Sequence, residues 1–342
     1  MQYRIPGALL FAVLAFPGIA HAGGGDPAQG AEPPSIADPH ENDAWLDRMQ
    51  RRVHETVSGS AKRIDGLFGV QDNLAVYDRA SGSVAPALLW DEFDGFQPRL
   101  RFRVSVPLPQ LDERVDAFIG RVNPEEYVTE REQDSGAFRR QYGPVEEDET
   151  LLGIRFHDER REGGSLDAGA GVRLQFPLDP YVKGSYLYER GTPSRLLFAI
   201  KETAFWRDSE GFGLTSRVDL SRVFEDRWLV RWTGSATFSQ KSEGVRGYTT
   251  FTVLRGFPNR RAAALELFMT GELDAPVPLG EYGAKVAYRQ AIVRDWLVME
   301  IRTSVTWPKD LPEQSRKPSW GVGMGFEMLF GSEQFRARPM TF

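Results

Sequence analysis

Residues 319–330 read SWGVGMGFEMLF. Taken alternately, Trp320, Val322, Met324, Phe326, Met328 and Phe330 are apolar. The other parity, Ser319, Gly321, Gly323, Gly325 and Glu327, is small or polar until Leu329. A strand turns successive side chains to opposite faces. An alternating run of about ten residues therefore has the length and the two faces of a bilayer-crossing strand, one on hydrocarbon and one on a wet interior.

The same unit recurs upstream. Leu100, Phe102, Val104, Val106 and Leu108 alternate with Arg99, Arg101, Arg103 and Ser105. Trp228, Val230 and Trp232 alternate with Leu229, Arg231 and Thr233, and Leu297, Met299 and Ile301 alternate with Val298, Glu300 and Arg302. A Lys or Arg on the lipid face at mid-depth costs about 2–4 kcal/mol, so the charged parities are expected to point inward. Candidate strands begin at 85–93, 99–108 and 114–122. They continue from Leu151 to Phe330 at the regular spacing of an all-β barrel. The expected fold is an antiparallel transmembrane β-barrel over residues 85–331 with fourteen strands. The 85–93 segment has the weakest pattern, but an even count requires it; twelve is the alternative.

Working back from the last strand fixes the two ends. KDLPEQSRKP (309–318), GELDAPVPLG (271–280) and QKSEGVR (240–246) are long connections, while 293–295, 256–261 and 224–226 are short. Long loops face outward in such barrels and short turns face the periplasm. On this scheme the acidic stretch Asn123 to Glu149 is an outer, solvated loop. Its carboxylates offer a second, less favoured reading as a cation site bridging lipopolysaccharide.

Composition agrees with a barrel. The chain has 342 residues, 34 of them Gly, and 12% are aromatic, which suits many turns, small interior positions and aromatic girdles. It is polar on average, as expected where only alternate residues need be apolar. No stretch beyond the N-terminus approaches the roughly 18 apolar residues of a membrane helix. A net charge of −6 argues against nucleic-acid binding. The count of zero cysteines removes disulfides, thiolate metal sites and cysteine nucleophiles.

Residues 1–22 read as a signal peptide, with Arg4, an apolar run to Ala20 and the Ala20-His21-Ala22 cleavage form. Residues 23–41 are Gly/Pro/Ala-rich, a disordered leader. In residues 42–70, Trp45, Leu46, Met49, Val53, Val57, Ile64 and Leu67 recur at helical spacing, predicting a periplasmic amphipathic helix that docks on the rim or plugs the lumen. Residues 332–342 form a C-terminal tail.

The run WGVGMGFEMLFG resembles the closing strand of bacterial outer-membrane β-barrels. With FEDRWLVRW and VRDWLVMEI, it is similar to an uncharacterised family of proteobacterial outer-membrane barrels. The resemblance covers residues 85–331 and implies location and fold: the outer membrane of a Gram-negative bacterium. It also implies that Ser319–Phe330 is recognised by the barrel-assembly machinery, with outer-membrane lipid and lipopolysaccharide as surroundings.

Three constellations bear on function. The first is the inward charge set: Arg99, Arg101, Arg103, Arg155, Arg173, Lys183, Lys201, Arg217, Arg231, Lys285, Arg289 and Arg302, with Asp167, Asp219, Glu266, Glu300 and Glu327. Twelve basic against five acidic positions point to a passive porin-like channel whose basic lumen suits small anionic solutes. The rival reading is a non-conducting structural or interaction barrel whose inward charges simply pair. The second is His157, the one histidine near the strands, followed by Asp158 and Glu159. Neighbours on a strand face opposite ways, which makes His157–Asp158 a poor catalytic pair, so no enzyme activity is expected. The third is the acidic loop already placed outside. No nucleophile elbow, phosphate loop or zinc spacing is present, and no cofactor is expected.

Overall fold

The computed structural model describes residues 81–93, 95–108, 114–130, 148–160, 164–225 and 227–331. The proposed signal peptide, leader, 42–70 helix and 332–342 tail all lie outside the described residues. Fourteen antiparallel strands close into a barrel in which each strand pairs with its sequence neighbours and β1 pairs with β14. The strands are β1 (Ser81–Asp91), β2 (Gly95–Pro107), β3 (Val115–Val122), β4 (Glu149–Arg160), β5 (Gly164–Arg173), β6 (Asp179–Thr192) and β7 (Leu196–Arg207). The ring continues with β8 (Gly211–Phe224), β9 (Trp228–Ser239), β10 (Arg246–Phe257), β11 (Arg261–Glu272), β12 (Leu279–Ile292), β13 (Arg294–Thr306) and β14 (Ser319–Phe330).

The weakly patterned 85–93 segment is β1, and it starts earlier, at Ser81, because Ser81–Val84 pair with Phe102–Ser105 of β2. Its alternation is blurred because both faces are apolar. Ala85 and Ala87 point inward while Leu88 and Trp90 point out. Pro86, which has no N–H to give, sits where the ladder to β14 skips two residues.

Register assigns every side chain to a face. On β2, Leu100 is 50% exposed while Arg99 and Arg101 on either side are 4% and 9% exposed. Exposure is inverted relative to a water-soluble protein: large apolar residues cover the outside and charged ones are buried within. Aromatic residues mark both rims of the outer surface. One rim carries the stacked Tyr282–Trp307 pair at 5.4 Å and the Trp206–Phe212 pair at 6.4 Å. At the opposite rim Arg255 lies 4.8 Å from the Trp228 ring and 5.0 Å from that of Phe257. An apolar belt between aromatic girdles around a closed sheet is the form of a transmembrane barrel.

The short turns on the second rim adopt left-handed backbone. Glu225, Asn259, Arg260 and Val293 have φ of 49°, 61°, 51° and 56°. Val293 is the costly one, since a β-branched residue in the left-handed region crowds its own carbonyl.

Candidate functional site: a loop folded into the barrel

The acidic 123–149 loop does not begin as a solvated outer excursion, and this corrects the expectation. Its first described residues, 123–130, turn into the barrel. Asn123 caps a single helical turn, α1 (Pro124–Tyr127), through its side-chain oxygen, which accepts from the Glu125 N–H at 2.9 Å. Pro124 suits the first helical position because its missing N–H would be an orphan there. Glu130 then adopts φ 55°, which turns the chain at the end of this segment.

An apolar cluster anchors the loop. Tyr127 and Val128 pack with Phe118 and Val122 of β3, Leu151 of β4, Tyr181 of β6 and Phe205 of β7, all buried. The Phe118 and Tyr127 rings lie 4.4 Å apart, and Tyr181 meets Tyr127 edge-on at 6.3 Å. Glycines make the room. A Cβ on Gly171 would fall 2.6 Å from the Tyr181 hydroxyl, and one on Gly153 would fall 2.9 Å from it.

Ion pairs hold the same loop to distant strands. The Glu130 carboxylate accepts from Lys183 at 2.7 Å, pairs with Lys201 at 2.6 Å and accepts from the Thr203 hydroxyl at 3.1 Å. Lys183 also donates to the Tyr127 carbonyl at 2.5 Å and sits 4.5 Å over its ring. Glu126 is 3.7 Å from Arg101 of β2, while Glu125 is 3.6 Å from Arg246 of β10. Where the loop returns, Asp148 pairs with Arg99 and, at 2.7 Å, with Arg101. Because β2, β6–β7 and β10 are spread around the ring, α1 is suspended between opposite walls.

Burial dominates the titration of these loop groups and would on its own raise the carboxylate pKa values. For Glu130 the ammonium groups of Lys183 and Lys201 outweigh it and pull the pKa down to about 2. For Asp148 hydrogen bonds from Arg99 and Arg101 outweigh burial, and the pKa is lowered. Burial pushes the Tyr127 phenol up. Glu130 and Asp148 are therefore charged in neutral solution and matched to the wall cations.

The expected inward charges fall on the inner face, but nearly all have partners. Arg155 pairs with Asp116 at 3.2 Å, Arg173 with Glu149 at 2.9 Å and Arg217 with Asp219 at 2.8 Å. Arg289 bridges Glu327 at 2.5 Å and Glu300 at 3.4 Å, and Arg302 lies 3.7 Å from Glu300. Lys285 is 3.8 Å from Glu266 and 4.1 Å over the Phe268 ring. Arg103 lies 5.6 Å over the Tyr127 ring, and Arg231 stands beside Ser221 and Thr252 in register. The sequence tally of basic over acidic positions missed the carboxylates that enter with the loop or stand at strand ends: Glu125, Glu126, Glu130, Asp148, Glu149 and Asp179. It also missed Arg207, which pairs with both Glu149 and Asp179 at 2.5 Å. Strand parity reveals Arg207 and Arg246, but no local signal reveals that an acidic loop turns inward.

Space remains along the other side. A cavity of about 380 Å³ is lined by β1, β2 and β11–β14, including Asp91, Gln97, Phe268, Glu281, Lys285 and Arg302. Gly321 and Gly323 form part of its wall, contributing no side chain.

His157 lies on the inner face of β4, with Nδ1 2.5 Å from Asp167. Asp158 points the other way and pairs with Arg114 at 3.1 Å. Asp167 also stands in register with Ser185. The carboxylate is thus central, whereas a nucleophilic relay places histidine between acid and hydroxyl. Among the described residues no group of three or more acidic or histidine side chains converges as a metal site.

These features define a transmembrane β-barrel of the outer-membrane type, with the described ends of the β3–β4 loop folded into its lumen. Neither a family model nor any curated protein sequence matches the chain, so the uncharacterised family suggested by its closing strand gains no support. Among solved structures it is similar to an anion-selective porin from Comamonas acidovorans, at 9% identity and a TM-score of 0.45, covering 73% of this chain and 98% of that one. Pseudomonas putida OprB matches at 10% identity and a TM-score of 0.46, over 74% of this chain and 94% of that one. Pseudomonas aeruginosa OccK11 (OpdR) matches at 10% identity and a TM-score of 0.42, over 74% and 96%. The barrel assignment rests on this chain's own strand pairing.

Proposed function

We propose that the protein is a passive, porin-like channel in the outer membrane of a Gram-negative bacterium. In this reading the rim holding Ser81 and Phe330 faces the periplasm, lipid and lipopolysaccharide surround the belt, and Ser319–Phe330 is the strand presented to the assembly machinery. The carrying observation is the division of the lumen: α1 and its apolar cluster occupy one side, and a cavity of about 380 Å³ runs along the glycine-bearing wall on the other. Such a conduit suits small hydrophilic solutes. Charge selectivity follows from what lines it. Lys285 and Arg302 favour anions, Asp91 and Glu281 oppose them, and the remaining cations are largely neutralised by pairing. The preference for small anions is therefore slight, weaker than the sequence tally implies.

A second reading, a closed structural barrel, draws on the suspension of α1 between β2 and β10. Planar-bilayer recordings of the refolded protein separate the two. Small steps with chloride only slightly favoured over potassium support the channel. Replacing residues 124–148 by a short turn should enlarge the steps and raise chloride preference, because Arg99, Arg101, Lys183, Lys201 and Arg246 lose their loop partners. Absence of steps in the wild type with steps after the replacement identifies the closed barrel. Absence in both sinks the channel.

A further inference from the structure

At the rim of the short turns, one arc of the outer face carries charge. Arg222 of β8 and Arg255 of β10 are exposed and share the outer parity with Phe224 and Phe257 at their strand ends. Register places β9 between them: Trp228 pairs with Phe224 on one side and Arg255 on the other, and Val230 pairs with Arg222 and Val253. Both guanidinium groups lean toward the rim. Arg222 lies 4.7 Å over the Phe224 ring, and Arg255 lies 4.8 Å over that of Trp228 and 5.0 Å over that of Phe257. A long cationic side chain does this when its stem lies on apolar surface and its head reaches for the polar layer. Among the described residues neither guanidinium has a carboxylate partner; Glu225, in the turn between β8 and β9, pairs with neither. Other arginines of this rim differ. Arg114 lies 5.1 Å over the Phe156 ring but is neutralised by Asp158 at 3.1 Å, and Arg260 pairs with Asp295 at 2.8 Å. A ring face attracts a cation without cancelling its charge.

We propose that Arg222 and Arg255 form a binding site for the headgroup of an anionic phospholipid in the periplasmic leaflet, with Trp228 between them as its floor. The rim of the outer face of a membrane barrel meets lipid headgroups, so the occupant is a lipid and the charge decides which. The two arginines stand two strands apart, about 10 Å across the sheet. Guanidinium presents paired N–H donors that match phosphate oxygens. Two uncompensated positive charges favour a headgroup of net negative charge over one whose phosphate is balanced by its own ammonium. Further from the rim the same face is apolar, and Val230, Trp232, Phe251 and Val253 offer a strip for the acyl chains. The site rests on the membrane orientation proposed above and is independent of whether the lumen conducts.

Native mass spectrometry of the refolded full chain, titrated with phosphatidylglycerol, with phosphatidylethanolamine of the same acyl chains, or with lipid A, reads the site directly. Phosphatidylglycerol should bind about tenfold more tightly than phosphatidylethanolamine. The double variant Arg222→Gln/Arg255→Gln should bring the two phospholipids to parity. Arg114→Gln, which removes an arginine already paired with Asp158, should keep the preference. Heat-modifiable gel mobility shows that each variant retains its barrel. Equal binding of the two phospholipids by the wild type, a preference that survives the double variant, or one that Arg114→Gln also abolishes would overturn the proposal. A preference for lipid A over phosphatidylglycerol that depends on Arg222 and Arg255 would overturn it in another way, by putting this rim in the outer leaflet, so a wrong orientation and a missing site give different results.

Discussion

The two sides of the lumen are built from the same kind of strand and do opposite things. Along β3–β7 the inner face carries Phe118, Leu151, Tyr181 and Phe205, and α1 closes over them. Along β11–β14 a cavity remains where β14 presents Gly321 and Gly323 beside Phe268, Lys285 and Arg302, while Ala264 and Ala287 pack with Leu229 and Leu254 in a second buried cluster. Arginine and lysine line both sides. What distinguishes them is side-chain volume, which decides where space is left, and the loop's carboxylates, which decide how much positive charge is left uncompensated.

That contrast is most directly broken by filling the open side. Gly323→Trp should reduce single-channel conductance to a small fraction of wild type while leaving the unfolding midpoint in urea almost unchanged. If conductance survives, the conduit does not run along β14. The converse change loosens the filled side. Glu130→Gln leaves the buried Lys183 and Lys201 without their carboxylate, a loss of about 3–5 kcal/mol in loop docking. Hydrogen exchange at the Tyr127, Val128 and Thr129 amides should then accelerate by about two to three decades. Unchanged protection would mean that the apolar cluster alone holds α1.

Acid should loosen the filled side. The Glu130 pKa is lowered from 4.5 to about 2 in the folded protein, so its contribution to docking is complete above about 4.5 and is lost as pH falls through about 2. Amide protection of α1 should hold from neutrality to about pH 4.5 and decline below it, and Glu130→Gln should flatten that decline. A loss of protection near pH 6 would implicate another group.

Packing offers a smaller test. Gly171→Ala places a Cβ 2.6 Å from the Tyr181 hydroxyl and 2.3 Å from the Leu152 carbonyl, and should destabilise the barrel by about 1–3 kcal/mol in urea titration with little effect on conductance. Smallest is Val293→Asn. It relieves a β-branched residue at φ 56° in a rim turn and should stabilise by about 1 kcal/mol with conductance untouched.

The barrel itself was legible because its determinant is local: the alternation in 319–330 or 99–108 records two solvents, and register follows from it. β1 was harder to read, since Ala85 and Ala87 inside and Leu88 and Trp90 outside erase the polar contrast on which alternation depends. The inward charges were legible by parity, yet their net effect was not. Asp148 meets Arg99 and Arg101 only because a loop of unremarkable acidic composition turns into the ring, and that turn depends on an apolar cluster drawn from four strands.

The suspension of α1 between β2 and β10 also constrains the order in which the protein can be made. Glu125 has no Arg246 to meet until β10 and the loop that follows β3 stand in the same sheet. Contacts this distant in sequence form late, because the chain between them must first be ordered. The loop's clasp is therefore a record of completed assembly: a barrel stalled with β3 and β10 still apart carries an unlatched loop, recognisable by weak protection of α1, and only the finished ring bears it across the lumen.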